Sequence, residues 1–307
     1  YDNRIYQNKF IFGNFGFYNF GNIALFIHSK ILKIKRIKIR EFMFIKDSID
    51  NIAKPLIKDD KAIENIKKAA FIAQKSIDLA FSFCKSGTRA SKIDKEVEKY
   101  IKSQNGYPAN FEVSGYGFAT SVSIGNEIAH GIPSKKKILK HGKPVCIDIG
   151  VKYNGYYADC ARTILVKGNL GSVNKEVYKL ISACKESLEY GIFKLKPKAL
   201  LSEYGKNVEK KVNEYGYNIV KSLTGHGVGY EYHEAPYIFN FYHPNNDIVL
   251  EPNMVLALEL MITNGSNKYS IKEDGWTLST DDNSLAVHFE HTVLITNDGV
   301  EILGLND

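Results

Sequence analysis

At 307 residues and 44% hydrophobic, the chain has the composition of a soluble globular protein, able to bury one large core or two halves of about 120 residues each. The net charge of +7 is concentrated in residues 1–46, which hold nine Lys or Arg against Asp2 and Glu41; the remainder is nearly balanced and argues against a nucleic-acid surface. Four cysteines, Cys84, Cys146, Cys160 and Cys184, form no C-x-x-C pair, which excludes a zinc ribbon or a disulfide framework and points to buried thiols in a reducing compartment.

Residues 1–50 read as an N-terminal extension, aromatic, Asn-rich and acid-poor, whose longest apolar run, IALFI, is far too short to span a bilayer. Basic, acid-poor amphiphiles of this kind resemble organelle transit segments; an AT-rich coding sequence is the alternative source of the Lys, Asn, Ile, Tyr and Phe surplus. Residues 51–307 read as one domain, with no Pro/Gly/Ser linker and no residue-level repeat.

From Asp59 the pattern turns helical: Ile63, Ile66, Ala70, Ala73, Ile77, Ala80 and Cys84 recur every three or four residues, and Gly87 is placed to end the helix. A second helix is expected from about Ser91 to Ser103, and FEVSGYGFATSVSIGNEIAHGIP then reads as short strands and loops. PVCIDIGV and YYADCARTILV follow as strands joined at Asn154-Gly155, a strong hairpin signal. A two-residue loop pairs Asp148 with Ala161, so that Asp159 shares the face of Asp148; a four-residue loop sets the two acids directly opposite. Either way two carboxylates converge, and like charges at that distance need something positive between them. A pair of solvated surface acids is the bland alternative, which the apolar flanks oppose.

Two more helical patterns run through Val177, Leu180, Ile181, Cys184 and Leu188, and through Leu201, Tyr204, Val208 and Val212. After about residue 218 strands return. In MVLALELMIT alternation puts Val255, Ala257 and Glu259 on one face, and in SLAVHFEHTV it puts His288, Glu290 and Thr292 together. An acid buried in such a run needs a cation, either a Lys or Arg partner or a metal ion. In TGHGVGYEYHEAP, His226 lies between Gly225 and Gly227, which suggests close-packed backbone and an imidazole open to a cavity. The order helices, sheet, helices, sheet suggests two α+β halves sharing a core. Four carboxylates and a His suit two divalent ions of the Mn, Fe(II), Co or Zn kind, and a water between two such ions implies hydrolysis.

HGIP at His130–Pro133, D-I-G-V-x6-A-D at Asp148–Asp159, GHGVG-x3-HEAP at Gly225–Pro236, LEL around Glu259, DGWT at Asp274–Thr277 and FEHTV at Phe289–Val293 together resemble the type I methionine aminopeptidases over roughly residues 55–305. The resemblance implies the pita-bread fold, two pseudo-symmetric α+β halves around a dinuclear metal site, and removal of N-terminal methionine from nascent proteins with a small second residue. It places Asp148, Asp159, His226, Glu259 and Glu290 on the metal ligands, with Asp159 and Glu290 bridging. His130 and His233 fall on the two histidines that steady the scissile peptide, Glu259 also on the proton carrier, and Phe118 and Trp276 near the methionine pocket. Its implied partners are nascent N-termini and the ribosome, with no membrane, and its implied state is a monomer. Leu260 stands where relatives have Pro, Ser123 where they often have a pocket Cys, His288 where they often have Gln, and the segment from Ser123 to His130 is about two residues short. X-Pro aminopeptidases and prolidases, which share the fold, and non-catalytic binding modules are the alternatives. The compartment follows the extension: an organelle, plastid-like or mitochondrial, if it is a transit segment, otherwise the cytoplasm.

Overall fold

A computed structural model describes residues 54–168 and 174–305; the proposed transit segment lies outside them. Asp59 accepts the Ala62 amide at 2.7 Å and so caps helix α1 (Asp60–Ser82), whose buried stripe of Ile66, Ala70, Ala73, Ile77 and Ala80 follows the helical spacing. The helix ends at Ser82, five residues before Gly87. Its last turn tightens, with the Phe83 amide on the Ala80 carbonyl, and tertiary bonds then capture the chain: Ser86 donates to the Lys167 carbonyl and Gly87 to that of Leu139. Helix α2 (Ala90–Ser103) crosses back, and the Asn105-Gly106 turn leads to a short strand β1 (Tyr107–Pro108). The FEV stretch forms no strand; strands begin only at β2 (Ser121–Ile124) and β3 (Glu127–Ala129).

The hairpin β4 (Pro144–Tyr153) and β5 (Tyr156–Leu165) closes on a two-residue turn with Asn154 at φ 49° and Gly155 at φ 88°, the left-handed pair that matches strand twist. The register pairs Asp148 with Ala161 and Gly150 with Asp159, as the two-residue loop requires. Helices α3 (Lys175–Phe193) and α4 (Ser202–Tyr215) open the second half, Gly216 ending α4 at φ 74°. Short strands β6 (Asn218–Ile219), β7 (Gly225–Gly227) and β8 (Glu234–Ile238) precede the long β9 (Val255–Thr263), then β10 (Tyr269–Ile271), β11 (Leu278–Thr280), the long β12 (Ala286–Ile295) and β13 (Val300–Ile302).

The main sheet runs β1-β4-β5-β12-β9-β7-β8, with β2 on β4, β6 on β9 and β13 on β12; β10, β11 and β3 make a smaller sheet. Each half therefore offers two helices and two long strands, and the inner strands β5 and β12 meet along the middle. Val145, Ile147, Ile149 and Val151 pack with the apolar stripe of α1 and with Ile93 and Val97 of α2. Leu256, Leu258, Leu260, Val287, Phe289 and Val293 pack under Leu180, Leu188, Val208 and Val212 of α3 and α4. With the helices taking those residues, the alternate ones of β4, β5, β9 and β12 face the other way. Among the described residues no helix is long and apolar enough to cross a membrane.

Candidate metal centre and methionine pocket

Parity carried across the ladder puts five donors on that helix-free face. Asp148 is paired with Ala161, and Asp159 lies two residues before Ala161. Glu290 pairs with Ala161 from the other side and with Glu259 on its own far side. His226 pairs with Ala257, two residues before Glu259. Leu260, opposite Phe289, keeps the strand regular past Glu259 and points into the helix-side core. The glycines flanking His226 permit close approach: a Cβ on Gly225 would sit 2.5 Å from the Ala257 carbonyl, and one on Gly227 2.4 Å from that of Ala235.

The donor atoms converge. Asp148, Asp159 and Glu290 each offer an oxygen within 4.8 Å of the others, as do the ligand atoms of His226, Glu259 and Glu290; His233 comes within the same distance of Asp159 and His226. His226 Nδ1 lies 2.8 Å from the Gly227 carbonyl, which can only accept, so the proton sits on Nδ1 and Nε2 is free to bind. That Nε2 is 3.9 Å from Asp159 Oδ2 and 4.0 Å from Glu290 Oε1, too far for hydrogen bonds and suited to a shared cation. Asp159 Oδ1 and Glu290 Oε1 are buried without a hydrogen-bond partner among the described residues.

The electrostatics agree. Burial first, and then the neighbouring acids, drive the Asp159 and Glu290 carboxyls well above the usual carboxylate range. Asp148 is pushed up to about 6, chiefly by burial. Such acids are costly to ionise together, and a divalent cation reverses that cost. Oxygen donors with one imidazole are the chemistry of divalent transition ions, so the residues present fit the metal.

His130 and His233 flank these donors. Both rings reach solvent, yet enough protein surrounds them that burial lowers their pKa, well below the ordinary range for His233, so both are neutral near pH 7. The rings of His233 and His226 lie 4.5 Å apart. His130 takes φ 54°, a strained conformation for a non-glycine residue. Behind it Gly131 donates to Ser123 Oγ at 3.2 Å, and a Cβ there would meet the Val122 carbonyl at 2.3 Å. Ser123, at the position of the expected pocket Cys, thus braces the His130 loop.

Phe118 and Trp276 come together through Tyr116, which packs edge-on against both at 5.9 and 5.2 Å. The Asp274 carboxylate holds the turn carrying Trp276 by accepting the Trp276 and Thr277 amides and the Thr277 hydroxyl, and Thr277 Oγ1 accepts the Ile132 amide.

Sequence reasoning missed Tyr116 and Tyr232 altogether, and it placed Thr292 and His288 on the metal-binding face without their partners. Tyr116 went unnoticed among many tyrosines. Tyr232 donates to Asn110 Oδ1 at 2.8 Å, an oxygen that also accepts the Gly150 amide, and the ring fills space that a Cβ on Gly150 would invade at 2.3 Å; the glycine of D-I-G-V was the available signal. Thr292 Oγ1 accepts the Asp159 amide at 2.9 Å and donates to the Asp159 carbonyl at 2.7 Å, and Thr163 does the same for His288 at 3.0 and 2.7 Å. His288 Nε2 reaches Glu259 Oε2 at 3.2 Å.

Two halves of a shared sheet, with carboxylates and an imidazole converging on the face opposite the helices, define a metallohydrolase of the pita-bread fold. Residues 64–297 match the model for metallopeptidase family M24. The methionine aminopeptidase of Mycoplasma capricolum is 37% identical over 248 residues, covering 80% of this chain and 97% of that protein. The crystal structure of the methionine aminopeptidase from Thermotoga maritima superposes with a TM-score of 0.79 at 35% identity, over 82% of this chain and all of that one. The chain belongs to metallopeptidase family M24, and within it to the type I methionine aminopeptidases. Prolidase from Pyrococcus furiosus shares the fold more distantly, with a TM-score of 0.66 at 28% identity over 82% of this chain and 66% of that one.

Proposed function

We propose that the chain hydrolyses the first peptide bond of nascent proteins that begin with methionine followed by a small residue. The observation that carries this reading is the single-faced cluster of Asp148, Asp159, His226, Glu259 and Glu290, with Tyr116, which packs against Phe118 and Trp276, near enough to Asp148 to feel its charge. These five residues would hold two divalent ions. When bound, the ions lower the pKa of the attacking water and polarise the scissile carbonyl. Glu259, half-buried at the edge of the cluster, takes the water's proton and passes it to the leaving amine. Neutral His130 and His233 each have an N–H to donate to the carbonyl oxygen as it gains charge. The aromatic rings offer an apolar wall to the methionine side chain.

The test is release of free methionine from Met-Ala-Ser by metal-stripped protein with Mn, Co, Fe(II) or Zn added back, alongside Glu259→Ala. Metal-dependent release that the substitution abolishes supports the reading and identifies the ion. Release from X-Pro peptides alone would assign a prolidase-like enzyme, and silence on a folded protein a binding module. The chain acts as a monomer on N-termini emerging from the ribosome, which velocity sedimentation with and without ribosomes checks. Residues 1–46 carry an organelle address; a reporter fused to them that stays in the cytosol would overturn that.

A further inference from the structure

The buried ion pair between Lys58 and Glu234 lies outside the metal-binding face and takes no part in the chemistry above. The two side chains are 0% and 4% exposed, with Nζ 2.5 Å from Oε2. A buried pair of this kind is a poor source of stability, because desolvating two charges offsets their attraction, so its placement needs another reason.

Glu234 follows His233 directly. Its second oxygen accepts the amides of Tyr230, at 2.5 Å, and Glu231, at 3.0 Å, closing the irregular turn that presents His233. Lys58 comes from the segment before α1, where its own amide is fixed on the Asn253 carbonyl at 2.9 Å. Its ammonium also lies 4.5 Å over the Tyr230 ring. Gly229, at φ 141°, opens the turn, and a Cβ there would meet Lys58 Cε at 2.6 Å. Among the described residues no hydrogen bond holds the His233 ring itself, which packs against the rings of Tyr232, its neighbour in the same turn, and His226. With no hydrogen bond of its own, its aim depends on the turn that carries it.

We propose that Lys58 and Glu234 form a positioning pair that fixes the 229–234 turn and thereby aims His233 at the scissile bond. Lys58 supplies the cation that lets a buried carboxylate gather two amides, and the carboxylate converts that charge into a rigid loop. The role of His233 rests on the function proposed above; the pair's control of the turn does not.

The experiment uses the full chain with Lys58→Met, Lys58→Arg and Glu234→Gln, and His233→Ala alone and combined with Lys58→Met. Lys58→Met should lower kcat about 10- to 100-fold with little change in KM, as expected for a group displaced by a fraction of an ångström. Lys58→Arg should recover most of that loss. In the His233→Ala background Lys58→Met should have no further effect on kcat, because its only route is through His233. Multiplicative losses in the double variant, or a change in KM alone, would overturn the proposal. Imidazole NMR gives a readout independent of activity: Lys58→Met, or Glu234→Gln if the first fails to fold, should shift or broaden the His233 ring signals and leave those of His243 in place. Unmoved His233 signals in a folded variant would sink the pair's role even if the protein released no methionine.

Discussion

His288 and His291 sit three residues apart on β12, on opposite faces of one strand, and both are almost fully buried. Burial alone pushes either imidazole toward the neutral form. On the metal-binding face, however, the Cys146 thiol and the Glu259 carboxylate beside His288 hold its pKa well above the ordinary value. On the helix face the Arg162 guanidinium and the Lys185 ammonium add to burial and depress His291 to about 4. The difference teaches that in this sheet burial is common to both faces, and the charge gathered on each decides what a titratable group becomes. One face collects acids and is built for cations. The other collects apolar side chains, with Arg162 and Lys185 at its margin paired to Asp78 and Glu189.

The sharpest way to break this contrast is to remove an acid from the metal-binding face. Glu259→Ala should lower kcat for methionine release by about 10²–10⁴-fold, the usual contribution of a proton carrier, while thermal unfolding of the metal-free protein changes little, because the substitution also relieves repulsion on Asp148, Asp159 and Glu290. Normal kcat in that variant would show that the acids of this face are structural. Thr292→Val probes the same face one step removed. The Asp159 amide and carbonyl lose their bridging hydroxyl in a buried setting, at a cost of about 1–3 kcal/mol. Metal affinity should fall about 10-fold as Asp159 loses its orientation, which calorimetric titration of the stripped protein measures.

His291→Leu tests the helix face. A histidine whose folded pKa is near 4 and whose unfolded pKa is near 6.5 leaves the unfolded chain binding the proton first on acidification. Its presence therefore destabilises the fold progressively from about pH 6.5 down to about pH 4, and not at all near pH 7.5. Both ring nitrogens lack partners among the described residues, so the substitution sacrifices no hydrogen bond there. Relative to the wild type, the variant should gain about 2 kcal/mol on going from pH 7.5 to pH 5, read from urea unfolding at the two values. A gain independent of pH would show that packing, and not charge, governs this face.

How far this division could be read in the sequence depends on how local its cause is. The parity of Asp148 and Asp159 was legible because one Asn-Gly turn fixes the register of both strands, and the helix stripes were legible because their period is internal. Alternation likewise placed Glu259 and Glu290 correctly within their own strands. What joins the strands was not legible: that Glu290 faces both Ala161 and Glu259 depends on β5 and β12 meeting at the middle of the sheet, a contact between segments more than a hundred residues apart. The motif resemblance supplied that link where periodicity had none. The end of α1 was misplaced for a similar reason, since tertiary bonds from Ser86 and Gly87 draw the chain away before Gly87 can act as a cap. Alternation put Thr292 on the right face and Gly150 hinted at a close neighbour, but the partners of Thr292, Tyr232, Thr163 and Lys58 were not legible, because each lies far away in sequence.

The smallest effect should come from a change that touches neither face. Gly155→Ala alters only the tip of the β4–β5 turn, where φ is 88° and a Cβ would meet nothing within 4 Å. Its cost is then backbone strain alone, about 1 kcal/mol, or a fall of about 2–4 °C in Tm for a domain of this size. Because the remaining hairpin pairs run unbroken from Tyr153–Tyr156 to Pro144–Leu165, the register of Asp148 and Asp159 should survive, and metal affinity with it. A variant that loses metal in proportion to far more than its loss of Tm would mean that the turn, and not the paired strands, holds the two acids on one face, since a one-residue slip sends every side chain of a strand to the opposite side.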